Sequence, residues 1–129
     1  MDSASATIMN ATIYKVLTQE QWTLAANGGD VEAPVDARDG YVHFSTAATL
    51  QGTLDKWFYG AVGAVLLAFD ADSFGAELRW EVARGGELFP HVYGRVSAQR
   101  AKRVWQLELG PDGSPRAPAP ADLEPEAAR

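Results

Sequence analysis

The sequence predicts an α+β fold in one domain, and three observations carry that reading. At 129 residues the chain is long enough to bury a single core. Its apolar residues alternate in some segments and recur at helical spacing in others. The predicted strands and helices, about six and two, are interspersed without a repeated βαβ unit.

"ATIYKVL", Ala11 to Leu17, alternates and is β-branched, so it reads as the first strand. Thr18 followed by Gln21 forms a capping box for a helix through "QEQWTLAAN", which Gly28 and Gly29 end. A polar loop, "DVEAPVDARDG", leads to a strand "YVHFS", with Tyr41, His43 and Ser45 on one face and Val42 and Phe44 on the other. Ser45 or Thr46 caps a second helix, where Leu50, Leu54, Trp57 and Phe58 share one face until Gly60. "AVLLAFD", Ala64 to Asp70, is apolar nearly throughout and reads as a central strand buried on both faces. A turn "DADSFGAE", a short strand "LRWEV", a Gly- and Pro-bearing loop "ARGGELFPH" and a last strand "RVWQLEL" (Arg103 to Leu109) follow. The domain spans 11–110. Residues 1–10 form an N-terminal extension, and the Pro- and Ala-rich acidic stretch 111–129 reads as a disordered tail.

Composition narrows the function classes. Eleven basic against seventeen acidic residues give a net charge of −6, which argues against a nucleic-acid partner, whose binding draws on neutralised phosphates. The one basic cluster, "RVSAQRAKR" (Arg95 to Arg103), is short and reads as a solvated surface or a local anion contact. The longest apolar run, "AVGAVLLAF", is too short to span a bilayer, so no membrane association is expected. The first ten residues lack the basic start and apolar centre of a secretion signal. The absence of cysteine excludes disulfides, thiolate metal sites and cysteine nucleophiles, and fits a cytoplasmic protein.

The two histidines hold the chemistry. His43 and Ser45 lie about 6.5 Å apart on one strand face. Their strand runs into a helix start, where free N–H groups suit an anion. His43 and Ser45 therefore read as ligand contacts, or as a structural histidine and a helix cap. His91 sits between Pro90 and Tyr93–Gly94 on a segment of defined course, with Glu87 four residues before it as a carboxylate able to orient it. Glu81 lies in "LRWEV" beside Arg79, facing either solvent or a cleft. No HExxH, GxSxG, GxGxxG or P-loop pattern occurs, so no metal site, elbow hydrolase or Rossmann reading is supported.

Taken together, "IYKVLTQEQW", "GYVHFSTAATL", "VLLAFDAD" and "LRWEVARGGELFPHVYG" resemble the DUF952 family, small bacterial proteins of uncharacterised function. The resemblance spans Ile13 to about Leu109. It implies a fold akin to the ADP-ribosyltransferases, with two small antiparallel sheets packed around a cleft sized for NAD. In that superfamily a strand histidine and a hydroxyl residue two positions on contact the ribose of NAD, and His43 and Ser45 match in type and spacing. The resemblance also implies a catalytic carboxylate, Glu81 or Glu87, with Glu81 favoured because strands hold groups rigidly. It further implies an aromatic against nicotinamide, from Tyr93, Tyr59 or Phe58. On this reading His43, Ser45, Thr46, His91 and Tyr93 bind the ligand and NAD is the cofactor. The alternative is a non-catalytic protein binding another nucleotide-like or small anionic ligand.

Overall fold

The computed structural model describes residues 11–123; the predicted extension 1–10 and the last six residues of the predicted tail lie outside them. Among the described residues, two three-stranded antiparallel sheets form the frame. The first has the order β1 (Thr12–Leu17), β3 (Val65–Asp70), β6 (Arg103–Gln106). The second has the order β2 (Val42–His43), β5 (Leu88–Val92), β4 (Leu78–Val82). They meet at a corner where the amides of Tyr14 and Ser45 each donate to the other residue's carbonyl, both at 2.8 Å.

Strand periodicity distributes the apolar side chains between two cores. Ile13 and Leu17 of β1 join Leu67 and Phe69 of β3 on the side facing the second sheet, against Val42, Phe44 and Val92. Tyr14, Val16, Leu66 and Ala68 face the opposite side and pack under Leu50 and Leu54 of the helix Ala47–Trp57, α3. Because β3 is central, Val65 to Phe69 are fully buried, as the unbroken apolar run predicts. Lys15 is the exception on the inner face of β1, a buried ammonium in an apolar layer.

Helix α1 (Gln19–Ala26) starts with the predicted capping box. The Gln21 amide donates to Thr18 Oγ1 at 3.1 Å, and the Thr18 amide donates to Gln21 Oε1 at 2.9 Å. Helix α3 (Ala47–Trp57) is capped by Thr46, whose hydroxyl accepts from the Thr49 amide. Leu50 and Leu54 are buried as the spacing predicts. Trp57, expected on the same face, is instead 62% exposed at the last helical position.

Four expectations are corrected. The polar loop before Tyr41 contains helix α2 (Pro34–Asp39). At six residues it is too short for an apolar period, yet it has Pro at its first turn and Gly40 at φ 87° past its end. The predicted loop "ARGGELFPH" is largely β5, because the turn at Gly85 and Gly86 closes early and Val82 pairs with Leu88. Pro90 is accommodated there because the strand needs only its carbonyl, which accepts from the Phe44 amide at 3.0 Å. The last strand ends at Gln106, and beyond it the expected disordered tail packs as far as Leu123. Gln51 on α3 accepts from the Ala117 amide and donates to the Pro115 carbonyl, and Leu123, on the short helix α4 (Pro120–Leu123), is buried beside Tyr14.

Truncation after Leu109 therefore uncovers the core beneath α3. Loss of the Leu123 side chain alone is expected to cost about 1.5–3 kcal/mol. Urea unfolding of the truncated chain is expected to show a clearly lowered midpoint; an unchanged midpoint would mean that the tail contributes no packing.

Candidate functional site

The site is assembled around a buried carboxylate. Asp36 sits in the first turn of α2, and its side chain is fully enclosed. Its Oδ2 accepts from the Ala33 amide at 2.7 Å and from Lys15 Nζ at 2.7 Å. Its Oδ1 accepts from the His43 amide at 3.0 Å and from His43 Nδ1 at 2.6 Å. Burial would raise this carboxyl, but the His43 hydrogen bond and the Lys15 charge outweigh it and hold the pKa at about 2. Burial in turn lowers the Lys15 ammonium, against the opposing pull of Asp36.

Because Asp36 is ionised and acts only as an acceptor, His43 carries its proton on Nδ1. Its other nitrogen, Nε2, lies 3.1 Å from Asp39 Oδ2 at the end of α2. Both ring nitrogens of His43 thus face carboxylates.

The antiparallel register places His91 directly opposite His43 across the β2–β5 pair, with ring centroids 5.2 Å apart. Because the segment expected to be a loop is strand β5, His91 stands beside His43 on the same sheet face. Its Nδ1 donates to Glu81 Oε1 at 2.7 Å, and the Tyr93 hydroxyl donates to the same oxygen at 2.8 Å. These two hydrogen bonds, His91 first, lower the Glu81 carboxyl, and the bond to Glu81 raises the Tyr93 phenol. The carboxylate that orients His91 is therefore Glu81 on the neighbouring strand, not Glu87. Tyr41 lies over both histidines, 4.6 Å from the ring of His43 and 4.3 Å from that of His91. Arg79 stacks on Tyr93 at 4.5 Å.

His43 and His91 line a cleft of about 970 Å³ between the sheet corner, α2, α3 and the β4–β5 hairpin. Ser45 lines it too, donating its hydroxyl to Thr53 Oγ1 at 2.9 Å, since Thr53 itself donates to the Thr49 carbonyl. Glu87 and Phe89 line the hairpin side, Arg38 and Asp39 the α2 side, and Lys56, Trp57 and Phe58 the far end of α3. Of the remaining sequence candidates, Thr46 is the helix cap and does not line the cleft. Glu81 stands behind His91, Tyr93 lines a separate hollow of about 360 Å³, and Tyr59 is 71% exposed away from the cleft. The basic cluster is tied to local partners, Arg95 to Asp30 and Lys102 to Asp70. Among the described residues no three His, Asp or Glu side chains converge as metal ligands, and no helix is long and apolar enough to cross a membrane.

Sequence reasoning missed Asp36, Lys15 and Tyr41. An acidic residue in a helix's first turn is a readable signal, but nothing in the sequence ties Asp36 to a histidine seven residues on or to a lysine in β1.

A two-sheet α+β chain with paired histidines at a cleft is the class that this geometry defines. Residues 16–104 match the model of a protein family of unknown function, DUF952, and the chain belongs to that family. It is similar to protein CC0527 from Caulobacter crescentus. The crystal structure of that protein is 40% identical, covers 81% of this chain and 93% of its own, and superposes with a TM-score of 0.78. The solution structure of CC0527 gives 40% identity, coverage of 81% and 91%, and a TM-score of 0.73. No curated protein matches the chain.

Two outcomes follow from the Asp36 cluster. Asp36→Asn leaves the Lys15 ammonium buried without its counter-charge and is expected to cost about 3–5 kcal/mol in urea unfolding. Asp36 has a folded-state pKa of about 2, below its ordinary 3.8, so its stabilisation is complete above about pH 4 and is lost as pH falls through 2. The decline contributed by this one group is about 2 kcal/mol, and the acid-unfolding curve of the Asn variant is expected to lack it.

Proposed function

We propose that the cleft binds a nucleotide-like ligand of the size of NAD, and that its chemistry is cleavage of the nicotinamide–ribose bond on an ADP-ribosyltransferase-like fold. The observation that carries this reading is the pair of carboxylate-anchored histidines side by side at the cleft. His43, with the Ser45 hydroxyl two residues on, is the ribose contact. The cleft volume falls within the range of small-molecule sites. Arg38 and Lys56 offer charge to a diphosphate, and Trp57, Phe58 and Phe89 offer rings to the bases.

Breaking the nicotinamide–ribose bond builds positive charge on the sugar, as glycoside hydrolysis does. Glu87, the glutamate that lines the cleft, is the carboxylate available to stabilise that charge, whereas Glu81 is engaged in orienting His91. A second reading, binding of a small anionic ligand without catalysis, is favoured by the same engagement of Glu81 together with the Arg38 and Lys56 charges.

The test is thermal unfolding with millimolar NAD, followed by an assay for released nicotinamide. Ligand at about 100 times its dissociation constant stabilises by about 2.7 kcal/mol, a rise of roughly 5–15 °C for a domain of this size. His43→Asn, which keeps a donor for Asp36, is expected to remain folded and to lose most of that rise. No rise at saturating NAD overturns the NAD reading. A rise without nicotinamide release leaves binding and removes catalysis.

A further inference from the structure

We infer that His91 is the general base of this site and that the cleft delivers the sugar to an oxygen acceptor, water or a hydroxyl group. The inference rests on the NAD reading above. Three observations lead to it. Glu81 and Tyr93 have no place on the cleft wall, yet the Tyr93 hydroxyl and His91 Nδ1 both donate to one oxygen of Glu81. The contact fixes the tautomer: with the proton on Nδ1, the neutral ring carries its lone pair on Nε2. That nitrogen bonds to no described residue, while His91 itself lines the cleft. His43 differs in this respect, because its Nε2 already faces Asp39. Two neighbouring imidazoles are thus set apart by unlike partners: both nitrogens of His43 face carboxylates, whereas His91 keeps Nε2 to accept from the ligand.

The step balances without another reactant. As the bond from C1′ of the ribose to the nicotinamide nitrogen breaks, its electron pair leaves with neutral nicotinamide. An acceptor oxygen forms the new C1′–O bond, and its proton passes to His91 Nε2. Glu81 stabilises the imidazolium that results, and Tyr93 and the Tyr41 ring keep the dyad in place. Glu81 is a positioning residue here, since it acts through His91.

The experiment is hydrolysis of NAD, with water as acceptor, by the whole protein and by His91 variants, beside the NAD-induced thermal shift. His91→Asn keeps a donor for Glu81 and removes Nε2. It is expected to retain the shift and to release nicotinamide about 10²–10⁴-fold more slowly. His91→Gly is expected to regain part of the rate with added imidazole, which a purely structural histidine would not show. Glu81→Gln is expected to lower kcat with KM unchanged. If His91→Asn hydrolyses NAD at the rate of the unaltered protein, or imidazole leaves a folded His91→Gly unchanged, the inference fails while the NAD reading stands. Should His91→Gly not fold, the Asn variant decides. If the unaltered protein binds NAD and releases no nicotinamide, the base assignment falls together with the catalytic part of that reading. If it binds no NAD, both fall.

Discussion

The Asp36 carboxylate is the constraint on which the remaining arrangement depends. It ties three separate pieces of chain, the start of α2, the middle of β1 and the short strand β2, through four donors on two oxygens. An ionised carboxylate is costly to bury, and what makes this one tolerable is that every acceptor direction is filled and one partner carries the opposite charge. A pair of apolar residues would fill the same volume, but it would not orient the His43 ring.

The two histidines illustrate how one sheet face assigns different environments to identical side chains. His43 is held from the helix side and His91 from the hairpin side, and Tyr41 lies over both. The supporting groups sit on elements with their own packing reasons. Asp36 is the first-turn acid of a helix, and Glu81 occupies the outer face of a strand whose inner face carries Trp80 against the core. The chemistry is thus built into positions that the fold specifies anyway.

The sequence made some of this legible and concealed the rest for definable reasons. β3 was plain because an unbroken apolar run has few alternatives, and α1 and α3 were plain because Thr18 and Thr46 are strong caps. The face shared by Tyr41 and His43 followed from a period of two. Helix α2 was concealed by its length, and β5 by Pro90, which reads as a breaker unless its missing amide faces no partner. The partners of the histidines were out of reach for a different reason. Glu87 is closer to His91 in sequence than Glu81, but antiparallel pairing brings the residue on the adjacent strand nearer than one four places along. The composition of the segment after Gly110 predicts a tail and does not disclose that a single glutamine on α3 receives it.

The spacing of the two anchored histidines along the chain has a consequence for assembly. Asp36 and His43 are seven residues apart, and Glu81 and His91 ten, so each pair closes a short loop at small entropic expense. Each half of the site is a local unit that its own segment can organise early. What joins them is the long-range pairing of β2 with β5, where one strand is only two residues long. The seam between two self-contained halves is therefore a narrow joint. A change that loosens it would part the histidines while leaving each with its own carboxylate.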